Sequence, residues 1–156
     1  MTELICGDCR GQVDAEATRA YYDAHGEIAG GCDCAHCRNF AVAVETVSPQ
    51  VREVFDALGL DIRRPCEVME LGPGTGNRRL YEAFYHIAGK LESGPLPRME
   101  IGEAQVGFYE DCDLLPQNFP RPCFQLNMAV ELPWLLAEAV PEAPLSSKSS
   151  LREDDL

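Results

Sequence analysis

Five of the eight cysteines in this 156-residue chain fall within its first 37 residues, at Cys6, Cys9, Cys32, Cys34 and Cys37. Their spacing constrains the fold more than any other feature. Cys6-x-x-Cys9 and Cys34-x-x-Cys37 each let one tight turn aim two thiolates at an ion, and two such turns complete a tetrahedron. The opening Met1-Thr2-Glu3-Leu4-Ile5 has neither the basic start nor the long apolar run of a secretory leader. No apolar stretch approaches the roughly 18 residues a membrane helix requires. A reducing, cytoplasmic setting is therefore expected, where clustered cysteines hold metal or do redox chemistry rather than form disulfides. The expected zinc ligands are Cys6, Cys9, Cys34 and Cys37, with Cys32 a substitute for Cys34. Four thiolates would close the coordination and make the zinc structural. His36 lies between two cysteines, where its ring is expected to point outward. Cys66, Cys112 and Cys123 stand singly, and Cys66 and Cys123 read as small buried apolar residues.

The intervening sequence is helical in pattern. Asp14 is placed to cap a run of good helix formers through Tyr22, which His25-Gly26 ends. A short helix is expected over 38–45. Ser48-Pro49 reads as an N-cap with proline in the first turn, followed by Val51, Val54, Phe55 and Leu58 on one face and Gly59 as the stop. From Cys66 the period shortens. Residues 67–71 and 80–91 read as strands joined by a glycine turn, and 104–109 as a third. In 124–131, apolar residues at 124, 126, 128 and 130 line one face of a strand, with polar or small ones between. Trp134-Leu135-Leu136 is expected to plug the end of that strand. Strands grouped after helices imply an α+β fold: N-terminal helices around a Cys-rich zinc site, then an antiparallel sheet of about four strands. One domain over 1–140 is expected, with its metal-binding part in 1–40 and its sheet in 65–136. Residues 141–156 read as a disordered acidic tail.

Acidic residues outnumber basic ones 26 to 13, for a formal charge of -13. This opposes nucleic-acid binding, which rests on lysine and arginine neutralising phosphates, and it opposes an anionic membrane surface. A basic protein partner, or simple solubility, is what such a charge favours. Two other candidate sites are Glu82 with His86, four residues apart on the strand face they share with Phe84, and an aromatic patch at Phe124 and Trp134. The first is compatible with acid–base work, but a structural histidine hydrogen-bonded across the sheet is the favoured reading. Cys34-Ala35-His36-Cys37 also fits a thiol redox pair, since it precedes a helix whose N-terminus favours a thiolate.

Val68-Met69-Glu70-Leu71-Gly72-Pro73-Gly74-Thr75-Gly76 is similar to the first motif of class I S-adenosylmethionine-dependent methyltransferases. That resemblance implies Glu70, Gly72, Gly74 and Gly76 as cofactor-binding residues. It also implies a strand whose glycine turn opens a helix, whereas Leu80-Tyr81-Glu82-Ala83-Phe84-Tyr85 reads as strand. Such a sheet further requires repeated βα units of about 30 residues, for which 80 residues leave little room.

A wider resemblance spans residues 32–136. Cys32-Asp33-Cys34-Ala35-His36-Cys37-Arg38-Asn39-Phe40, Leu58-Gly59-Leu60-Asp61, Tyr81 to Gly89 and Val130-Glu131-Leu132-Pro133-Trp134 resemble a family of small uncharacterised bacterial proteins. It implies a short, soluble, single-domain protein and transfers no activity. It also implies that the cluster from Cys32 to Cys37 is the recurrent one, while Cys6 and Cys9 are not part of the shared pattern. The reading from sequence is a small soluble zinc-binding protein of binding or assembly type, acting with another protein. The methyltransferase and the thiol redox protein are its alternatives.

Overall fold

The computed structural model describes residues 1–141; the tail expected at 141–156 lies, apart from Pro141, outside them. The chain opens as a hairpin, β1 (Thr2–Cys6) and β2 (Cys9–Val13), followed by α1 (Ala15–His25), α2 (Ala35–Ala43) and α3 (Pro49–Leu58). Five strands follow: β3 (Glu67–Pro73), β4 (Arg78–Leu91), β5 (Met99–Ile101), β6 (Ala104–Tyr109) and β7 (Cys123–Pro133). All pair antiparallel, in the order β1-β2-β4-β7-β6-β5, and β3 joins β4 on the edge that β2 also uses. The α+β class holds. The sheet has seven strands rather than about four, and two of them precede the helices.

The unexpected hairpin explains the largest difference. Gly7-Asp8 is a two-residue turn of the kind that connects paired strands, and Gly7 takes the positive φ of 57° that such turns favour. Leu4, Cys9 and Val13 are buried along it. The sequence Cys-Gly-Asp-Cys therefore closes a hairpin, with Cys6 directly opposite Cys9.

The helices follow their sequence signals closely. The Asp14 carboxylate accepts a hydrogen bond from Ala17 N at 3.0 Å, starting α1. In α3, Val51, Phe55 and Leu58 are buried and Gly59 ends the helix at φ 79°. Burying side chains of this size stabilises by about 1.5–3 kcal/mol each. Ser48 differs from expectation, because its hydroxyl caps nothing. The Glu103 carboxylate, from the β5–β6 turn, instead accepts from Ser48 N at 3.0 Å. A negative group from a distant turn thus occupies the start of α3, where the helix dipole favours it.

The helices cover one sheet face. Tyr81, Tyr85 and Ile87 of β4 and Phe124, Leu126, Met128 and Val130 of β7 point into the core with Phe40, Val51 and Phe55. Tyr85 meets Phe55 edge-on at 4.9 Å and its hydroxyl donates to the Ile62 carbonyl. Between its pairings with β3 and β2, the edge of β4 has no strand partner. There α1 supplies side chains instead: the Tyr22 hydroxyl accepts from His86 N at 2.8 Å and Thr18 Oγ1 from Ala88 N at 3.0 Å. Buried backbone donors that lose a strand neighbour must be met in some such way.

Candidate metal centre

Helix α2 begins within the cysteine cluster. Cys34 is its N-cap and Cys37 lies in its first turn, while Cys32 sits in the preceding loop after a 3-10 turn, Ile28–Gly31. The Sγ atoms of Cys32, Cys34 and Cys37 all lie within 4.8 Å of one another, Cys37 buried and the other two exposed. Zinc–sulfur bonds of about 2.3 Å at tetrahedral angles set S···S edges of about 3.8 Å, so three sulfurs this close are within range of one shared ion. Three thiols close together could bind a metal ion. Among the described residues this is the group of three or more ligand-type side chains with that geometry.

The cluster's electrostatics follow from its place on the helix. Burial opposes ionisation of Cys34, yet hydrogen bonds from the backbone N–H of Cys37 and His36 and from the neighbouring thiols outweigh it, so its pKa falls below the ordinary thiol value. Cys37 moves the other way, raised by its burial and by its contacts with Cys32 and Cys34. A thiol at a helix N-terminus whose pKa is lowered, with two further thiols beside it, suits the binding of a cation or a redox partner.

The framework under α2 rests on Asn39, which is fully buried. Its Nδ2 donates to the Pro133 carbonyl at 3.1 Å and to the Tyr81 hydroxyl at 3.3 Å, and its Oδ1 accepts from Leu135 N at 2.7 Å. The Tyr81 hydroxyl donates in turn to the His36 carbonyl at 2.8 Å. One side chain thus locks the cysteine helix to the ends of β4 and β7. Trp134 does lie at that strand end, but its ring meets His36 edge-on at 5.7 Å and its Nε1 donates to the Glu138 carbonyl.

His36 is partly covered rather than outward. Its Nε2 stands 3.9 Å from Glu70 Oε1, and its Nδ1 is enclosed without a protein partner. Neither ring nitrogen belongs to the cysteine group.

Cys6 and Cys9 stand elsewhere. Their hairpin pairs with Gly89–Leu91 at the far end of β4, where Ser93 Oγ lies 3.7 Å from Cys9 Sγ. From Tyr81, beside α2, to Leu91 is ten strand steps, on the order of 30 Å. Burial raises both thiol pKa values, with Cys9 adding to the effect on Cys6. The structure does not bring Cys6 and Cys9 to Cys34 and Cys37, and Cys32 takes the third place in the group.

The glycine loop joins two antiparallel strands and opens no helix. Gly72 sits at a register shift between β3 and β4, with φ 123°. Glu70 accepts from Gly72 N and pairs with Arg79 at 2.7 Å. The Glu131 carboxylate lies against Gly74 and accepts from Thr75 N at 3.1 Å. Glu70 and the backbone N–H groups of Gly72, Gly74 and Thr75 are thus engaged by neighbouring groups of β3, β4 and β7.

Glu82 and His86 do not pair either. Glu82 is held by Arg98 through two hydrogen bonds, at 2.7 and 3.0 Å, while His86 Nε2 donates to the Asp113 carbonyl at 2.8 Å. Burial lowers the His86 pKa. Gln125 and Asn127 connect these groups along the sheet face away from the helices. Phe124 belongs to the core. Cys66 and Cys123 are half-buried, and burial beside Cys123 pushes the Cys112 thiol up to about 12.

No helix among the described residues is long and apolar enough to cross a membrane. Comparison with protein-family models, with curated proteins and with solved structures gave no match to the chain.

Proposed function

We propose that this is a small zinc-binding protein of the binding or assembly type, in which Cys32, Cys34 and Cys37 hold one Zn2+ in the reducing environment of the cytoplasm. The observation that carries this reading is the convergence of those three thiols at the start of a buried-anchored helix. Soft, sulfur-only donor sets favour zinc and other thiophilic ions over magnesium or calcium. The zinc is structural in a local sense. It fastens the loop after α1 to α2, while the core of aromatic and aliphatic side chains holds the sheet. The acidic surface favours a basic protein as partner.

The test is equilibrium zinc binding by the full chain under reducing conditions. One equivalent per chain is expected, and Cys34→Ser should weaken its binding by more than about 100-fold. A chain that binds no zinc in the presence of all three thiols contradicts the reading. The low pKa of Cys34 at the N-cap favours a second reading, a thiol redox protein working through Cys34 and Cys37. That reading expects a readily oxidised dithiol in metal-free protein and catalytic exchange with a disulfide substrate.

A further inference from the structure

We propose that the Cys32–Cys34–Cys37 centre keeps one coordination position for a donor from outside the chain, and that it selects a neutral nitrogen ligand of the imidazole type. This rests on the zinc reading above. Tetrahedral zinc takes four donors, and a site with three protein ligands leaves the fourth position for an exogenous one. Among the described residues, no fourth histidine, cysteine or carboxylate atom joins the three thiols. The nearest alternative, His36, lies outside that group: its Nε2 stands 3.9 Å from Glu70 Oε1, its ring is 5.7 Å from Trp134, and its enclosed Nδ1 does not join the three sulfurs. Cys6 and Cys9 are at the other end of β4.

The geometry also sets the direction of approach. Cys37 forms the buried floor of the triangle, while Cys32 and Cys34 are exposed, so the free position opens on the solvent side. A donor entering there needs no rearrangement of α2, which Asn39 and Tyr81 hold in place.

Charge selects the donor. Three thiolates on Zn2+ already give the centre a net charge of -1, and a fourth thiolate would make it -2. The neighbouring cations are committed: Arg38 pairs with Glu138 at 2.6 Å, and Arg79 with Glu70 at 2.7 Å. Asp33 lies in the cysteine loop itself, and the chain carries a formal charge of -13. A neutral donor leaves the charge of the centre unchanged and avoids this repulsion.

The full chain loaded with Co2+ in place of zinc tests the proposal, because tetrahedral cobalt–thiolate centres absorb visibly and report their fourth ligand. Imidazole should shift the visible bands saturably without releasing the metal. 2-Mercaptoethanol, near neutral pH, should need a higher total concentration for the same occupancy. His36→Gln should leave the imidazole titration unchanged. Cobalt bound with thiolate charge-transfer bands but insensitive to both probes overturns the open position and leaves the zinc reading standing. A centre that becomes responsive only in His36→Gln overturns it too, by making His36 an internal fourth ligand. Tighter binding of the thiol overturns the choice of donor. A chain with no cobalt–thiolate bands overturns both readings.

Discussion

The two Cys-x-x-Cys pairs of this chain have the same spacing and opposite structures. Between Cys6 and Cys9, Gly7-Asp8 forms a hairpin turn, so the two cysteines face each other across paired strands. Between Cys34 and Cys37, Ala35-His36 forms the first helical turn, with Cys34 at the N-cap position. The residues inside the pair decide the outcome. Glycine with a small acidic residue favours the tight turn, while alanine followed by residues with helical anchors favours the helix. Spacing alone fixes how near two thiols lie, and the turn fixes whether a third can join them.

The sharpest way to break this comparison is to remove one thiol from each pair. Cys34→Ser should weaken zinc binding by more than about 100-fold, beyond the 10–100-fold cost typical of residues that only support a metal ligand. Cys9→Ser should leave the affinity unchanged. A competition titration against a chromogenic chelator reads both variants, and equal losses would restore the hairpin pair to the site.

The anchoring of the helical pair comes next. Asn39→Ala removes hydrogen bonds to Pro133, Tyr81 and Leu135 at a fully buried position. Leaving such groups unpaired should cost about 3 kcal/mol of stability in urea unfolding. Zinc affinity should fall as well, because α2 loses its register. Stability unchanged within error would mean that α2 is held by packing alone.

Metal removal separates the two ends of β4 more gently. With free zinc at about 100 times Kd, binding stabilises by about 2.7 kcal/mol, so chelation should lower the melting temperature by that linkage and no more. Amide exchange should accelerate around 28–38 and stay slow in the hairpin with β4. Collapse of the whole sheet on chelation would make the metal part of the global fold.

Thr18→Val probes the edge of β4 beside the hairpin. It strips a buried hydroxyl from Ala88 N and Asp14 O, and should cost about 2 kcal/mol without changing zinc affinity. The smallest effect belongs to Glu82. Its carboxylate is held below the usual range chiefly by Arg98, against its burial, with help from Asn127. A depressed pKa contributes stability above the unfolded-state value near 4.3, lost as pH falls through the folded value. Acid unfolding below about pH 4 should therefore flatten in Glu82→Gln. Zinc should leave at higher pH than this, since its thiolates protonate first. An unchanged acid profile in the variant would remove the Glu82–Arg98 pair from the account.

Much of this fold was legible because its patterns are local. The i, i+3, i+4, i+7 series from Val51 to Leu58 and the alternation from Phe124 to Val130 need no knowledge of the rest of the chain. The β1–β2 hairpin was hidden by its own cysteines, since Cys-Gly-Asp-Cys fits a metal turn and a hairpin turn equally. Three-residue β5 is too short for any period. In the site, Cys34 and Cys37 were readable from spacing, while Cys32 entered only as a substitute for Cys34 and through the family resemblance, because nothing local told it from Cys6 and Cys9. Asn39 was not, because its partners are Tyr81, Pro133 and Leu135, all more than 40 residues away. Glu103 at Ser48 is equally non-local, 55 residues away, while Arg98 reaches Glu82 across 16 residues that carry no periodic signal for the pairing.

The central claim is that the metal is held by Cys32, Cys34 and Cys37 and not by the hairpin pair. X-ray absorption at the zinc edge of the full-length protein counts its sulfur ligands directly. The account predicts three sulfurs and one lighter donor, with the same count in Cys9→Ser. Four sulfurs in the wild type, falling to three in Cys9→Ser, would contradict it.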